Sequence, residues 1–351
     1  MQKNALLVGG SGQVGSATAR ALLAAGASVT IAHRGSRALP ADLVGHVAEL
    51  TLDRGDADAL AAAARGHDLV LDCVAFTPAD VAPYSAIAGD VGSLVVVSTA
   101  SVYLGANGTW MDAATGDDDF PRLAVPVTEN DPIVTAEVEG YSPQKAAMER
   151  ALLAVEGLPV TILRPGAIHG PGSPALREWY FIKRALDGRR RVPLIDRGES
   201  RFATSATTVI AELVRLAAEI PGRRVLNAVD EPTPTVLEIG QAVFAHLGHS
   251  AEFDLLPRGA GGPESSVGQT PWSVPVPVVL SMQAAREQLG YEPRSSHRTT
   301  IGPAIDDLLA ALSGADWRER FPGLTRYGAE GWFDYAAEDA LLGDGGSAPP
   351  R

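Results

Sequence analysis

A short apolar run at residues 5–8 meets a glycine-rich turn, and a helical pattern begins without a break. The segment reads Val8-Gly9-Gly10-Ser11-Gly12-Gln13-Val14-Gly15, a G-x-x-G-x-x-G spacing. Each glycine has a separate physical reason. Gly9 permits a tight turn out of a strand, Gly12 lets backbone approach a pyrophosphate, and Gly15 lets the helix pack closely. Gln13, Val14 and Gly15 open the helix, whose first N–H groups and positive dipole end suit an anion. Glycine-rich turns without a ligand are common. The strand-loop-helix context at residue 9 is what selects a dinucleotide site.

The rest of the first hundred residues supports that context. Apolar runs at 29–32, 47–52, 69–74 and 94–98 read as strands, and 14–25 and 57–65 read as helices. Continuous apolar strands between helices mean a parallel sheet covered on both faces. Right-handed crossovers then give an α/β, doubly wound Rossmann fold. Residues 105–140 read as a long loop over the carboxyl edge of the sheet, with Asp117–Asp119 as a solvated turn. A helix over 142–155 and a strand over 160–164 follow. Beyond Pro165 the pattern turns irregular, with helices at 175–186 and 206–218. At 351 residues the chain has room for about two domains. We read 1–165 as the dinucleotide domain and 166–340 as a smaller α+β substrate domain that can return a strand or helix to the first sheet. Residues 343–351 read as a disordered tail.

The end of the second strand selects the cofactor. An NAD site wants a carboxylate there for the ribose 2′-hydroxyl. This chain has Ala32-His33-Arg34-Gly35-Ser36-Arg37 and no acid. Arg34, with Arg37 assisting, suits a 2′-phosphate, because the planar guanidinium fork matches phosphate geometry. Two surface arginines would look the same. Asp53, after the third strand, stands where a side chain can bond the adenine amino group, or where it merely makes a turn.

Tyr141 and Lys145 form Y-x-x-x-K in a chain with three lysines. Four residues apart on a helix, they share a face. An ammonium near a phenol stabilises phenolate, so the tyrosine can trade a proton with a hydroxyl or ketone at neutral pH. The lysine also reaches ribose hydroxyls. Pro143 fits only a first helical turn, so Tyr141 must sit at the helix start. The fifth strand runs into Val97-Ser98-Thr99-Ala100-Ser101-Val102-Tyr103. If the strand persists, Thr99 and Ser101 share a face on which a substrate oxygen can be bonded, and Ser98 points away.

Bulk properties exclude other classes. A net charge of −13 argues against nucleic acid and anionic membranes as partners. No run approaches the apolar length of a membrane span, and the first residues do not form a secretory signal. The single cysteine, Cys73, forbids an internal disulfide and reads as a small buried hydrophobe rather than a nucleophile. A reduced cytoplasmic setting fits, and no metal site is expected.

Taken in order, these segments resemble the extended short-chain dehydrogenase/reductases, the NAD-dependent epimerase/dehydratase family. Residues 8–15 resemble its nucleotide loop. Ser98-Thr99-Ala100-Ser101-Val102-Tyr103 resembles its strand-five motif, and Val127-Thr128-Glu129-Asn130-Asp131-Pro132 the segment before its catalytic helix. Leu163-Arg164-Pro165 onward resembles the opening of its substrate domain, and 281–293 its C-terminal signature. The resemblance implies Thr99, Tyr141 and Lys145 as catalytic residues, with Gly9, Gly12, Gln13, Val14, Gly15, Arg34, Asp53 and Lys145 on the cofactor. It further implies Ser101 and Arg201 on a substrate.

Departures narrow the choice. The acidic pair that often follows the strand-five Thr is Ala100-Ser101, which argues against a 4,6-dehydratase. The asparagine of an R-P-x-N pattern is Ala167. Arg201 can grip a diphosphate but lacks acidic companions in the segment 201–208. The reading is therefore an NAD(P)-dependent oxidoreductase or epimerase transferring hydride at a carbinol or ketone carbon. Within it, an NADPH-dependent reductase of a sugar-nucleotide-like or secondary-metabolite carbonyl fits best, with NADP(H) ahead of NAD(H). Its partner is a small-molecule substrate, and a homodimer is allowed. The alternative is an NADP(H)-binding regulatory or redox-sensing protein without turnover; the intact Tyr141/Lys145 pair favours the enzyme. An RNA-associated relative suits neither the charge nor the few lysines.

Overall fold

A computed structural model describes residues 3–135, 137–262, 265–322 and 331–343. The proposed tail at 343–351 lies outside the described residues apart from Gly343. Two compact units emerge. The first comprises 1–168, 204–230 and 280–294, and the second comprises 169–203, 231–279 and 295–351. Among the described residues no helix is long and apolar enough to cross a membrane, and no group of three or more His, Cys, Asp or Glu could hold a metal ion.

The strands are β1 (Asn4–Val8), β2 (Ser28–His33), β3 (Ala48–Thr51), β4 (Leu69–Asp72), β5 (Leu94–Val97) and β6 (Val160–Pro165), then β7 (Ala167–His169), β8 (Arg191–Leu194), β9 (Thr204–Ala206), β10 (Arg224–Ala228) and β11 (Glu252–Leu255). Seven of them form one parallel sheet in the order β10-β6-β5-β4-β1-β2-β3. The doubly wound α/β expectation is thus met. Strands β4, β5 and β6 are buried along their whole length, as a sheet covered on both faces requires. The core beneath is aliphatic, built from residues such as Leu6, Val70, Val96 and Ile162. The seventh strand, β10, comes from far down the chain and pairs with β6; the sequence reading allowed for a return of this kind without placing it. The order reverses at β1, between β2 and β4, and a doubly wound sheet binds ligands at that switch point.

Helices α1 (Gln13–Ala24), α2 (Ala57–Ala64), α3 (Ala82–Ser85), α4 (Tyr141–Ala154) and α6 (Thr207–Glu219) flank this sheet, after α5 (Trp179–Leu186) of the other unit. Helix α4 begins at Tyr141, so Pro143 falls in its first turn as the sequence required. The fifth strand does not persist. It ends at Val97, and Ala100–Val102 forms a 3-10 turn instead.

The second unit packs differently. Its core is aromatic, with Trp179, Tyr180, Phe181, Phe244, Trp272 and Trp317 around α5 and α7 (Val236–Leu247). Gly240 of α7 leaves room for the Phe181 ring, since a Cβ there would lie 2.7 Å from it. Strands β8 and β11 pair in parallel in this unit. Neither showed as a strand in sequence, because four-residue pairings far apart leave no local period.

Candidate functional site

The turn between β1 and α1 is shaped by contacts its glycines avoid. Gly9 adopts φ +73°, and a Cβ there would lie 2.7 Å from Val74 Cγ1. A Cβ on Gly15 would lie 2.3 Å from Gly10 Cα, a distance no side chain tolerates. Gly12 is different in kind: a Cβ would meet only the Gly9 carbonyl oxygen, at 3.5 Å. The protein itself could accommodate a side chain at 12. Gly12 is the N-cap of α1 and no side chain caps the helix. Beside it, Gln13 Oε1 is buried without a hydrogen-bond partner. An orphaned buried acceptor is costly unless a ligand satisfies it. The donor set, the space and the dipole suit a pyrophosphate.

A cavity of about 480 Å³ opens from this turn, lined by Gly9, Gly12, His33, Arg34, Arg37, Asp53 and Arg54, among others. His33 is engaged locally. Its Nε2 lies 3.2 Å from Glu49 Oε2, and its Nδ1 accepts from Gly35 N at 3.0 Å. Arg34 is exposed and shares the cavity lining with Asp53 and Asp80. Asp53 lines the cavity and also makes a turn, accepting from Gly55 N at 3.0 Å. Both alternatives for Asp53 are therefore compatible with its position.

Arg54 was not apparent in sequence. It donates to the fully buried Asp72 from Nε at 3.0 Å and Nη2 at 2.8 Å, and it also pairs with Asp80. Tyr84 Oη donates to the same Asp72 oxygen at 2.7 Å, while Val74 N and Ala75 N bond the other. This network holds the β4 exit rigid under the cavity. The carboxylates paired with Arg54 lie 18 and 26 residues away, which left no local signal for it.

Further along the sheet edge lie the other candidate residues. Lys145 is buried, and its ammonium donates to Ala75 O at 2.7 Å and Val97 O at 3.0 Å. Burial pulls its pKa below the ordinary lysine range, and the Asp72 carboxylate pulls the other way. Tyr141 is 46% exposed. The Phe76 ring neighbours both. Its centroid is 5.8 Å from the Tyr141 ring and 5.9 Å from Lys145 Nζ.

Thr99 Oγ1 accepts from Ser101 N at 3.2 Å and lies 3.1 Å from Ser101 Oγ. Thr99 and Ser101 come together as expected, although through the 3-10 turn and not along a strand. Ser98 points away as expected, donating to the buried Glu149. Ser101 Oγ is also 3.0 Å from the hydroxyl of Ser142, the neighbour of Tyr141. Ser142 in turn bonds Asp112, whose carboxylate accepts from Ser142 Oγ and, at 3.3 Å, from Ser142 N. Asp112 belongs to the stretch read as a loop and had not been singled out. The Asp117–Asp119 segment is the solvated turn expected there, with Asp119 accepting from Thr115 N and Gly116 N. Burial and the adjacent Asp72 carboxylate push the Cys73 thiol far above its usual range, which disfavours the thiolate. Arg201 lies in the second unit, where it donates to the Thr233 carbonyl.

The model of the NAD dependent epimerase/dehydratase family matches residues 5–203, more than half of the chain. The chain belongs to that family. It is an NAD(P)-dependent enzyme of the extended short-chain type, as its motifs implied. No curated protein matches the sequence of this family member. Solved structures do match it in fold. The UDP-glucose 4-epimerase of Thermotoga maritima, with UDP-glucose, superposes with TM-score 0.61 at 19% identity, covering 88% of this chain and 99% of the other. The dTDP-glucose 4,6-dehydratase of Bacillus anthracis, in complex with NAD, gives 0.62 at 16%, covering 89% and 98%. The UDP-N-acetylglucosamine 4-epimerase of Methanobrevibacter ruminantium gives 0.64 at 18%, covering 88% and 99%.

Proposed function

We propose that this enzyme is an NADP(H)-dependent oxidoreductase acting at a carbinol or ketone carbon, best fitted to reducing a sugar-nucleotide-like or secondary-metabolite carbonyl. The observation that carries the reading is the grouping at the start of α4. Phe76 bridges Tyr141 and Lys145, and the Ser142–Ser101 bond ties the Tyr141 neighbour to Thr99. A nicotinamide cofactor held at the glycine turn would supply the hydride. Gly12, Gln13 and the α1 terminus would hold its pyrophosphate, and Arg34 and Arg37 would hold a 2′-phosphate, with no acid on β2 to repel it. Asp53 would bond the adenine amino group.

Tyr141 would pass its proton to the substrate oxygen, and Thr99 would orient that oxygen, with Ser101 behind it. Lys145, fixed by two carbonyls, keeps one donor, which would reach a ribose hydroxyl, and its ammonium would favour phenolate on a nearby Tyr141. Nucleotide sugars are bound by structural neighbours. Arg201 would contact a diphosphate if the substrate here carries one.

The test is to purify the protein, identify the nicotinamide that comes with it, and screen carbonyl substrates by absorbance. The expected result is NADP(H) bound more tightly than NAD(H), with turnover of at least one ketone. Equal affinity for both cofactors would overturn the NADP preference. An absence of turnover across nucleotide-sugar and simple ketone panels would overturn the catalytic reading.

A further inference from the structure

The hydroxyls of Thr99, Ser101 and Ser142 form a continuous chain that ends on the exposed carboxylate of Asp112. A hydroxyl has one proton to give, whereas a carboxylate only accepts. Ser142 must therefore spend its proton on Asp112. Its bond to Ser101 then has Ser101 as donor, and the Ser101–Thr99 bond has Thr99 as donor. Thr99 Oγ1 already accepts from the Ser101 backbone N–H at 3.2 Å. What remains at Thr99 is a lone pair and not a proton.

We propose that Asp112 is a positioning residue that sets this direction and makes Thr99 a hydrogen-bond acceptor toward the substrate. The inference rests on the proposed role of Thr99 in bonding the substrate oxygen. While Tyr141 keeps its proton, a carbinol satisfies both groups at once, accepting from the Tyr141 hydroxyl and donating to Thr99. A ketone oxygen can only accept, so Thr99 must turn its proton away from Ser101 and break one link of the chain. Whichever way the net reaction runs, the carbinol is the form held more tightly, and a reductase built this way is inhibited by its own product. Without the carboxylate the chain can reverse, with Ser142 donating to Ser101, Ser101 to Thr99, and Thr99 to the ketone.

Asp112→Asn tests the idea with little change of shape, because an amide oxygen can still accept from Ser142 N and cap α4. Ser142→Ala cuts the chain and leaves Asp112 free to accept from the same N–H. The probe is the carbinol/ketone pair that the wild-type enzyme interconverts fastest. Calorimetric titration of carbinol into NADPH-loaded enzyme and of ketone into NADP⁺-loaded enzyme gives two dissociation constants, since neither mixture can react. The wild type should favour the carbinol. Both variants should shift the ratio toward the ketone by about tenfold, the scale of one hydrogen bond.

A purely structural cap would leave the ratio unmoved in both variants, and that result overturns the inference while the catalytic reading stands. Should Asp112→Asn fail to fold, Ser142→Ala decides alone. If the wild type turns over no pair, the catalytic reading falls and this inference falls with it.

Discussion

The glycine turn and the start of α4 sit on one sheet edge and are held by opposite means. At Gly9, Gly10 and Gly15 an added Cβ would come within 3 Å of neighbouring atoms, so geometry there is imposed by steric exclusion. Around Thr99, Tyr141 and Lys145 the constraint is a set of hydrogen bonds, including two from a buried ammonium to backbone carbonyls. Exclusion is all-or-none, while a hydrogen-bonded array can lose one member and keep its shape. The first region should therefore respond to substitution in folding or cofactor binding, and the second in rate.

Gly15→Val should have the largest effect, costing on the order of 4 kcal/mol or more, because backbone atoms of Gly10 must move. Thermal unfolding would read it, and a melting temperature near wild type would break the comparison. Gly12→Val lies in the same turn yet should leave that temperature almost unchanged and abolish dinucleotide binding in a fluorescence titration. Retained binding would show that the space at Gly12 is not used by a pyrophosphate.

At the other region, Tyr141→Phe should lower single-turnover rate by about 10²–10⁴ with cofactor affinity preserved, the range for losing a general acid. Thr99→Ala should cost less, since it removes an orienting bond and not the proton. Arg34→Asp should move cofactor preference toward NAD(H) by roughly 1–3 kcal/mol, measured as the ratio of the two dissociation constants.

The smallest effect is one of pH. Burial holds Lys145 below the ordinary lysine value of 10.5. Its charged form, and with it the proposed ribose contact, would be present below that lowered pKa and lost as pH rises through it. Cofactor affinity should thus begin to fall before pH 10.5, and Lys145→Met should flatten that limb.

The sequence disclosed what is local or periodic. Four glycines in seven residues, a Y-x-x-x-K on one helical face and runs of Val and Leu each announce themselves within a short window. Thr99 and Ser101 were paired correctly for a partly wrong reason, because a tight turn and a strand both bring residues two apart together here. Arg54 with Asp72, and Asp112 with Ser142, escaped notice because each pair joins separated segments whose identity is ordinary on its own. The same holds for β8 and β11, whose pairing spans 61 positions from Arg191 to Glu252.

The aromatic packing of the second unit has an optical consequence. Of the five tryptophans, Trp179, Trp272, Trp317 and Trp332 belong to that unit, and only Trp110 lies in the other. Intrinsic emission during denaturation therefore reports mainly on the second unit, whereas loss of bound nicotinamide cofactor would report on the proposed site at the glycine turn. Following both signals through one urea titration asks whether the units melt together or in sequence. Coincident midpoints would mark a single cooperative transition. Separated midpoints would allow each unit to be assigned its own stability without cutting the chain.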